Sequence, residues 1–193
     1  MEAVGSELNL FEPFMNQTAV IGEMVQEFAP LATIIQGAPI DFQIEGSGKN
    51  YIDLNDSKLE VRVKLTTPTG GDIASTTNVS TVNLPLHSLF QSVTMKIADK
   101  VVTESNNLYP FRALMETMLN YEAQMMKTRL KCEGYEEDTA LADTSPAAGG
   151  TNAGLKAREA KFNNSKVVRL IGRLHSDLSH QEKLIPPGIK LDV

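Results

Sequence analysis

Apolar and polar residues alternate in several short runs along this chain. Ile40, Phe42 and Ile44 alternate with Asp41, Gln43 and Glu45, the period of a strand with one buried and one wet face. Gly46-Ser47-Gly48 breaks that run, Tyr51-Ile52-Asp53-Leu54 is a second extended piece, and Asn55-Asp56-Ser57 turns the chain. The clearest strand follows. Leu59, Val61, Val63 and Leu65 alternate with Glu60, Arg62 and Lys64, branched apolar residues inward and charge outward. Residues 66–78, around Pro68-Thr69-Gly70-Gly71, form a polar loop expected to be exposed. A second strand region runs from about Leu84 to Thr103. Leu86, Ser88, Phe90 and Ser92 share one side, and Val93, Met95 and Ile97 continue the alternation. Ala98-Asp99-Lys100 reads as a hairpin turn returning through Val101-Val102-Thr103, so the pairing is antiparallel.

One helix is predicted. Ser105-Asn106-Asn107 offers N-cap side chains and Pro110 suits the first turn. Phe111, Leu114, Met115, Met118 and Leu119 then recur at three- and four-residue spacing, extended by Tyr121, Met125 and Leu130. Core packing of this face is the expectation, and an adaptable methionine-rich binding surface is the alternative. Residues 133–158 are acidic at first, then small and polar, and read as a long surface loop. Gly149-Gly150 with Gly154 is no phosphate loop, because no Lys-Ser/Thr pair follows. Val167, Arg169, Ile171, Arg173 and His175 alternate with Val168, Leu170, Gly172 and Leu174, a strand with one basic face. Leu184-Ile185-Pro186-Pro187-Gly188 bends the chain into a last alternating run, Ile189 to Val193. Residues 1–36 lack a clear period and read as an N-terminal arm, with 19–28 either a helical turn or extended and Pro30 limiting it. Such an arm lies on a neighbouring subunit or packs on its own domain.

Composition narrows the class. The 193 residues, 41% hydrophobic and 22% charged, suit one domain with a real core. No apolar run reaches the length of a membrane span, and Glu2 and Glu7 stand where a secretory signal carries base. The net charge of −6 disfavours a dedicated nucleic-acid binder. Lys156, Arg158, Lys161, Lys166, Arg169 and Arg173 form a basic stretch that could face an acidic neighbour or nucleic acid, but no aromatic residues interleave as a base-stacking platform.

Candidate chemistry is sparse. Cys132 is the single cysteine and reads as a reduced thiol. Histidine occurs at 87, 175 and 180 only. His175, Asp177, His180 and Glu182 lie close in sequence and could suggest a metal site, but on a strand His180 points away from His175 and Asp177 unless the chain bends, so they read as solvated or hydrogen-bonded strand-end side chains. His87 beside Ser88 lacks the elbow or third group of a triad and reads as structural. No catalytic, cofactor-binding or metal-binding residue is assigned, and an enzyme is not expected. The pattern predicts an all-β fold, an antiparallel jelly-roll β-sandwich with one inserted amphipathic α-helix and long loops, over residues 37–193.

Several segments in register carry a resemblance. They are Gly37-Ala38-Pro39-Ile40-Asp41-Phe42, Gly46-Ser47-Gly48, Tyr51-Ile52-Asp53-Leu54, Leu59-Glu60-Val61-Arg62-Val63-Lys64, Val82-Asn83-Leu84-Pro85-Leu86-His87-Ser88-Leu89-Phe90, Asn107-Leu108-Tyr109-Pro110-Phe111-Arg112-Ala113-Leu114-Met115-Glu116-Thr117 and Ile171-Gly172-Arg173-Leu174-His175-Ser176-Asp177. In that order the chain resembles the hexon-like major capsid proteins of Maverick/Polinton elements and adintoviruses, most strongly from Gly37 to Tyr121. The polar Leu178-Ser179-His180 departs from the apolar pair of that pattern. The resemblance implies the N-terminal part of a double jelly-roll protein, its first jelly roll incomplete at the C-terminal end. It implies homotrimeric, pseudo-hexagonal capsomers of an icosahedral virion, meeting neighbouring capsomers and penton or minor capsid proteins, made in the host cytoplasm and assembled there or in the nucleus. A single-jelly-roll penton or minor capsid protein and a non-viral jelly-roll binding module are the alternatives.

Overall fold

The computed structural model describes residues 20–35, 37–45, 48–145 and 149–193. Residues 1–19 of the expected arm, and Gly46-Ser47 of the expected break, lie outside the described residues. Over residues 20–35 the chain is neither helix nor strand, and its base is tied by the Leu31 amide donating to the Asp41 carbonyl at 2.8 Å.

Strand β1 (Gln43–Glu45) and strand β2 (Leu59–Val63) come first. They are followed by the short helix α1 (Pro85–Ser88) and a hairpin of β3 (Thr94–Ile97) and β4 (Lys100–Glu104). Helices α2 (Tyr109–Asn120) and α3 (Ala123–Thr128) lead into a 3-10 turn at Arg129–Glu133. Helix α4 (Ala153–Phe162), strand β5 (Val168–Gly172) and strand β6 (Lys190–Asp192) complete the order. The strands form two antiparallel sheets, one ordered β1-β6-β3-β4 and one of β2 with β5.

The predicted all-β jelly-roll sandwich is therefore corrected. Of the described residues 26% are helical and 17% strand, a small α/β domain, whereas a jelly roll sets eight strands in two facing sheets. The alternating runs are real but pair only briefly. Tyr51 to Leu54 contributes a single bridge, Ile52 to Ile185, and the strand expected through His175 stops at Gly172. The run at Leu84 to Ser92 is not a strand. Leu84 adopts a left-handed conformation (φ 51°) and Pro85 opens helix α1, where a proline's fixed φ and missing N–H cost nothing.

Residues 133–158 are not a surface loop throughout. Glu133 and Tyr135 are buried, and helix α4 begins at Ala153 behind the Asn152 cap, whose side chain accepts from the Leu155 amide. Helix α4 escapes hydrophobic periodicity because its buried stripe is Gly154, Arg158 and Phe162. Strand β2 matches its strict alternation, and the β3–β4 hairpin matches its expected turn. Leu59, Val61 and Val63 stand opposite Gly172, Leu170 and Val168, and the β3–β4 turn places Ala98 and Asp99 at positive φ, as a tight hairpin requires.

The core is divided. Leu54, Ile185 and Leu191 are buried behind the four-stranded sheet with Ile44, Ile52 and Ile97 around them. Leu84, Leu130 and Tyr135 form a second cluster against Leu114, Tyr121 and Met126. Two glycines let α1, the 3-10 turn and β5 meet. A Cβ on Gly172 would lie 2.5 Å from Glu133 Cγ and 2.6 Å from Leu86 Cδ2, and one on Gly134 (φ +87°) would lie 2.3 Å from Pro85 Cγ. Gly134→Ala is expected to cost about 2–4 kcal/mol by urea unfolding, from left-handed strain plus overpacking. Gly70→Ala, at φ +83° in open space, is expected to cost only about 1–2 kcal/mol.

Candidate functional site

The close packing at Gly172 brings together side chains far apart in sequence. Helix α1 supplies His87, the 3-10 turn supplies Glu133, α2 supplies Tyr109, Arg112 and Glu116, and the chain after β5 supplies His175 and Asp177. His87, His175 and Glu133 are 1%, 3% and 8% exposed. The two imidazoles meet edge to face with centroids 4.6 Å apart. His87 Nε2 lies 3.2 Å from Glu133 Oε2, and His87 Nδ1 lies 3.0 Å from the Tyr109 hydroxyl. That hydroxyl also accepts from the His175 amide at 3.4 Å. His175 Nδ1 lies 2.8 Å from Glu116 Oε2.

Arg112 locks this network from outside. Its Nε donates to Glu116 Oε1 at 2.7 Å, and its Nη2 and Nη1 donate to the two Asp177 carboxylate oxygens at 2.6 and 3.4 Å. The charges follow from these contacts. Burial, then the neighbouring His87, pushes the His175 imidazole below the ordinary histidine range despite Glu116. Burial would raise the Glu116 carboxyl, but hydrogen bonds from His175 and Arg112 outweigh it and hold it below the usual carboxylate range. Burial keeps the proton on Tyr109 well above the ordinary phenol range. Asp177 is held low by Arg112.

The sequence grouping of His175, Asp177, His180 and Glu182 is only partly reproduced. Asp177 turns to Arg112, Glu182 is exposed, and His180 pairs its Nδ1 with the Ser176 carbonyl at 2.8 Å. The association of His175 with His87 and Glu133 had no local signal, because it rests on tertiary packing. Cys132 is exposed.

The surface differs from the sequence expectation in two ways. The buried stripe of α2 is Tyr109, Ala113 and Thr117. Phe111, Met115, Met118 and Leu119 instead face outward, 64%, 60%, 57% and 83% exposed. Most of the bulky apolar face expected in the core is thus on the surface, while Leu114 and Tyr121 pack against the buried cluster that holds Leu130. Residues 20–35 expose Ile21, Met24, Val25, Ile34 and Ile35 as well. Three of the six basic residues of the 156–173 stretch, in contrast, are paired within the chain. Arg158 is buried and donates to the Thr81 and Glu136 carbonyls and to Asp138, Lys161 pairs with Glu136, and Arg169 pairs with Glu60. Among the described residues, no helix is long and apolar enough to cross a membrane.

Because Arg112 bridges α2 to the segment after β5, Arg112→Met is expected to lower stability by about 1–2 kcal/mol in urea unfolding. Arg169→Met, which cuts an exposed pair, is expected to leave the urea midpoint unchanged within error.

Comparison with family models, with curated proteins and with solved structures finds no match to this chain.

Proposed function

We propose that this chain is a structural subunit that works by self-association, and that the assembly it builds is a viral coat. The observation that carries the reading is the outward apolar face of α2, where Phe111, Met115, Met118 and Leu119 meet solvent in the isolated chain. Contiguous exposed apolar surface on a small domain marks a contact with another macromolecule. The residue pattern shared with Maverick/Polinton and adintovirus capsid proteins supports a coat in particular. The jelly-roll mechanism of those proteins does not carry over, so the contacts must be read from this fold.

The occupant of the α2 face is a second copy. One chain offers two different apolar surfaces, the α2 face and the segment 20–35. A head-to-tail contact of one with the other closes into a ring when the rotation permits, and a trimer is the closure proposed. The edge strand β4, with Val101 and Val102 exposed, offers a further contact between capsomers or with penton or minor capsid proteins. Genome contact through the 156–173 stretch is disfavoured by the internal ion pairs of Arg158, Lys161 and Arg169. The site of action is the virion.

The test is the solution mass of the purified chain by light scattering, with negative-stain images of the same peak. The wild-type chain is expected as a trimer or a larger regular particle. Phe111→Glu with Met118→Glu is expected to give a monomer with unchanged circular dichroism, since both positions are exposed. Deletion of residues 1–30 is expected to do the same. A wild-type chain that stays monomeric as concentration rises would contradict the proposal.

A further inference from the structure

We infer that His87, Glu133 and His175 form a binding site for a divalent transition-metal ion of the zinc type. One ring nitrogen of each histidine and a carboxylate oxygen of Glu133 all lie within 4.8 Å of one another. Two imidazoles and one carboxylate are a common donor set for such an ion, with a fourth position open to water. All three residues are buried, so the donors are already desolvated and held by packing. This inference is independent of self-association.

The His87–Glu133 distance is compatible with coordination. Zinc bonds of about 2.0–2.1 Å at tetrahedral angles set neighbouring donor atoms about 3.3–3.4 Å apart. The 3.2 Å between His87 Nε2 and Glu133 Oε2 is close to that edge, and longer than the roughly 2.7–2.9 Å of a good charge-assisted hydrogen bond. The His175 to Glu116 contact, at 2.8 Å, has that shorter length.

The supporting shell is also in place. Metal-bound histidines donate their other ring N–H to a fixed acceptor, which sets the tautomer and aims the free lone pair. His175 Nδ1 has Glu116, itself held by Arg112. His87 Nδ1 has the Tyr109 hydroxyl. Metal binding shifts the His87 proton from Nε2, where it is donated to Glu133, to Nδ1, where it is donated to the Tyr109 hydroxyl, and both Nε2 lone pairs are then available to an ion beside Glu133. A dication also offsets the charge of Glu133, which pairs with His87 while Arg112 is taken up by Glu116 and Asp177. A second grouping, Glu116, His175 and His180, meets the same distance limit. Its atoms are committed elsewhere, Glu116 to Arg112 and His175, and His180 Nδ1 to the Ser176 carbonyl. His180 is therefore a control position.

The experiment is zinc titration of the full chain after dialysis against chelator, read by calorimetry and by bound-metal content. One zinc per chain and a raised melting temperature are expected. Glu133→Gln and His175→Gln are expected to weaken zinc binding at least about tenfold, while His180→Gln and Cys132→Ser leave the affinity in place. Glu133→Gln keeps an oxygen acceptor for His87, so folding and metal binding separate in that variant. Cobalt(II) on the wild-type chain is expected to give the visible bands of a four-coordinate nitrogen and oxygen site. The inference is overturned if the wild-type chain takes up no stoichiometric zinc, if Glu133→Gln and His175→Gln bind it as tightly as wild type, or if cobalt gives only a six-coordinate spectrum.

Discussion

The approach of Glu133 to strand β5 is the constraint on which this structure depends. Gly172 has no side chain where Glu133 and Leu86 come in, and Gly134 curls at positive φ beneath Pro85. These two absences of a Cβ allow α1, the 3-10 turn and β5 to pack as one unit. Burial of a carboxylate then demands polar partners, since an unpaired buried charge is costly. His87 and, through it, Tyr109 provide them. The next shell, His175, Glu116 and Arg112, extends the network to α2 and to the chain after β5.

That polar interior explains why α2 is turned the way it is. A helix packed on a histidine and carboxylate network must present side chains that fit there. Tyr109 does so through its hydroxyl and Ala113 through its small size, while Thr117 is buried there with its Oγ1 unpartnered. Arg112 and Glu116 lie at the border of the same face. Phe111, Met115, Met118 and Leu119 then have only the outside to occupy. The proposed self-association gives that outer face its burial. Anchoring by polar groups within and by apolar groups without makes α2 the link between the buried site and the assembly surface.

How much of this was legible in the sequence follows from the kind of signal each element carries. Strand β2 alternates strictly and was readable, and the β3–β4 hairpin was readable from its turn at Ala98-Asp99 although its register shifts at Met95 and Lys96. The start of α2 was readable from Pro110, but the cap is Leu108 and no side chain of Ser105-Asn106-Asn107 caps it, and the orientation of the helix was not readable. Periodicity finds the apolar stripe and assumes that it faces inward. Helix α4 was hidden because glycine and arginine occupy its buried positions, with Arg158 satisfied by two carbonyls and Asp138. Helix α1 was hidden because Leu86, Ser88 and Phe90 mimic strand alternation. The jelly-roll expectation failed for the same reason. Short alternating runs were read as long paired strands, and pairing partners are a tertiary property. His87 and His175 were each visible as residues, yet nothing local joins them at a separation of 88 in sequence.

The central claim is that the outer face of α2 is covered by another copy of the chain. Oxidative footprinting of methionines over a range of protein concentrations tests it most directly. Met115 and Met118 are expected to be oxidised readily in dilute protein and to become protected as concentration rises, while buried Met95 stays protected throughout. Equal oxidation of Met115 and Met118 at every concentration would contradict the account.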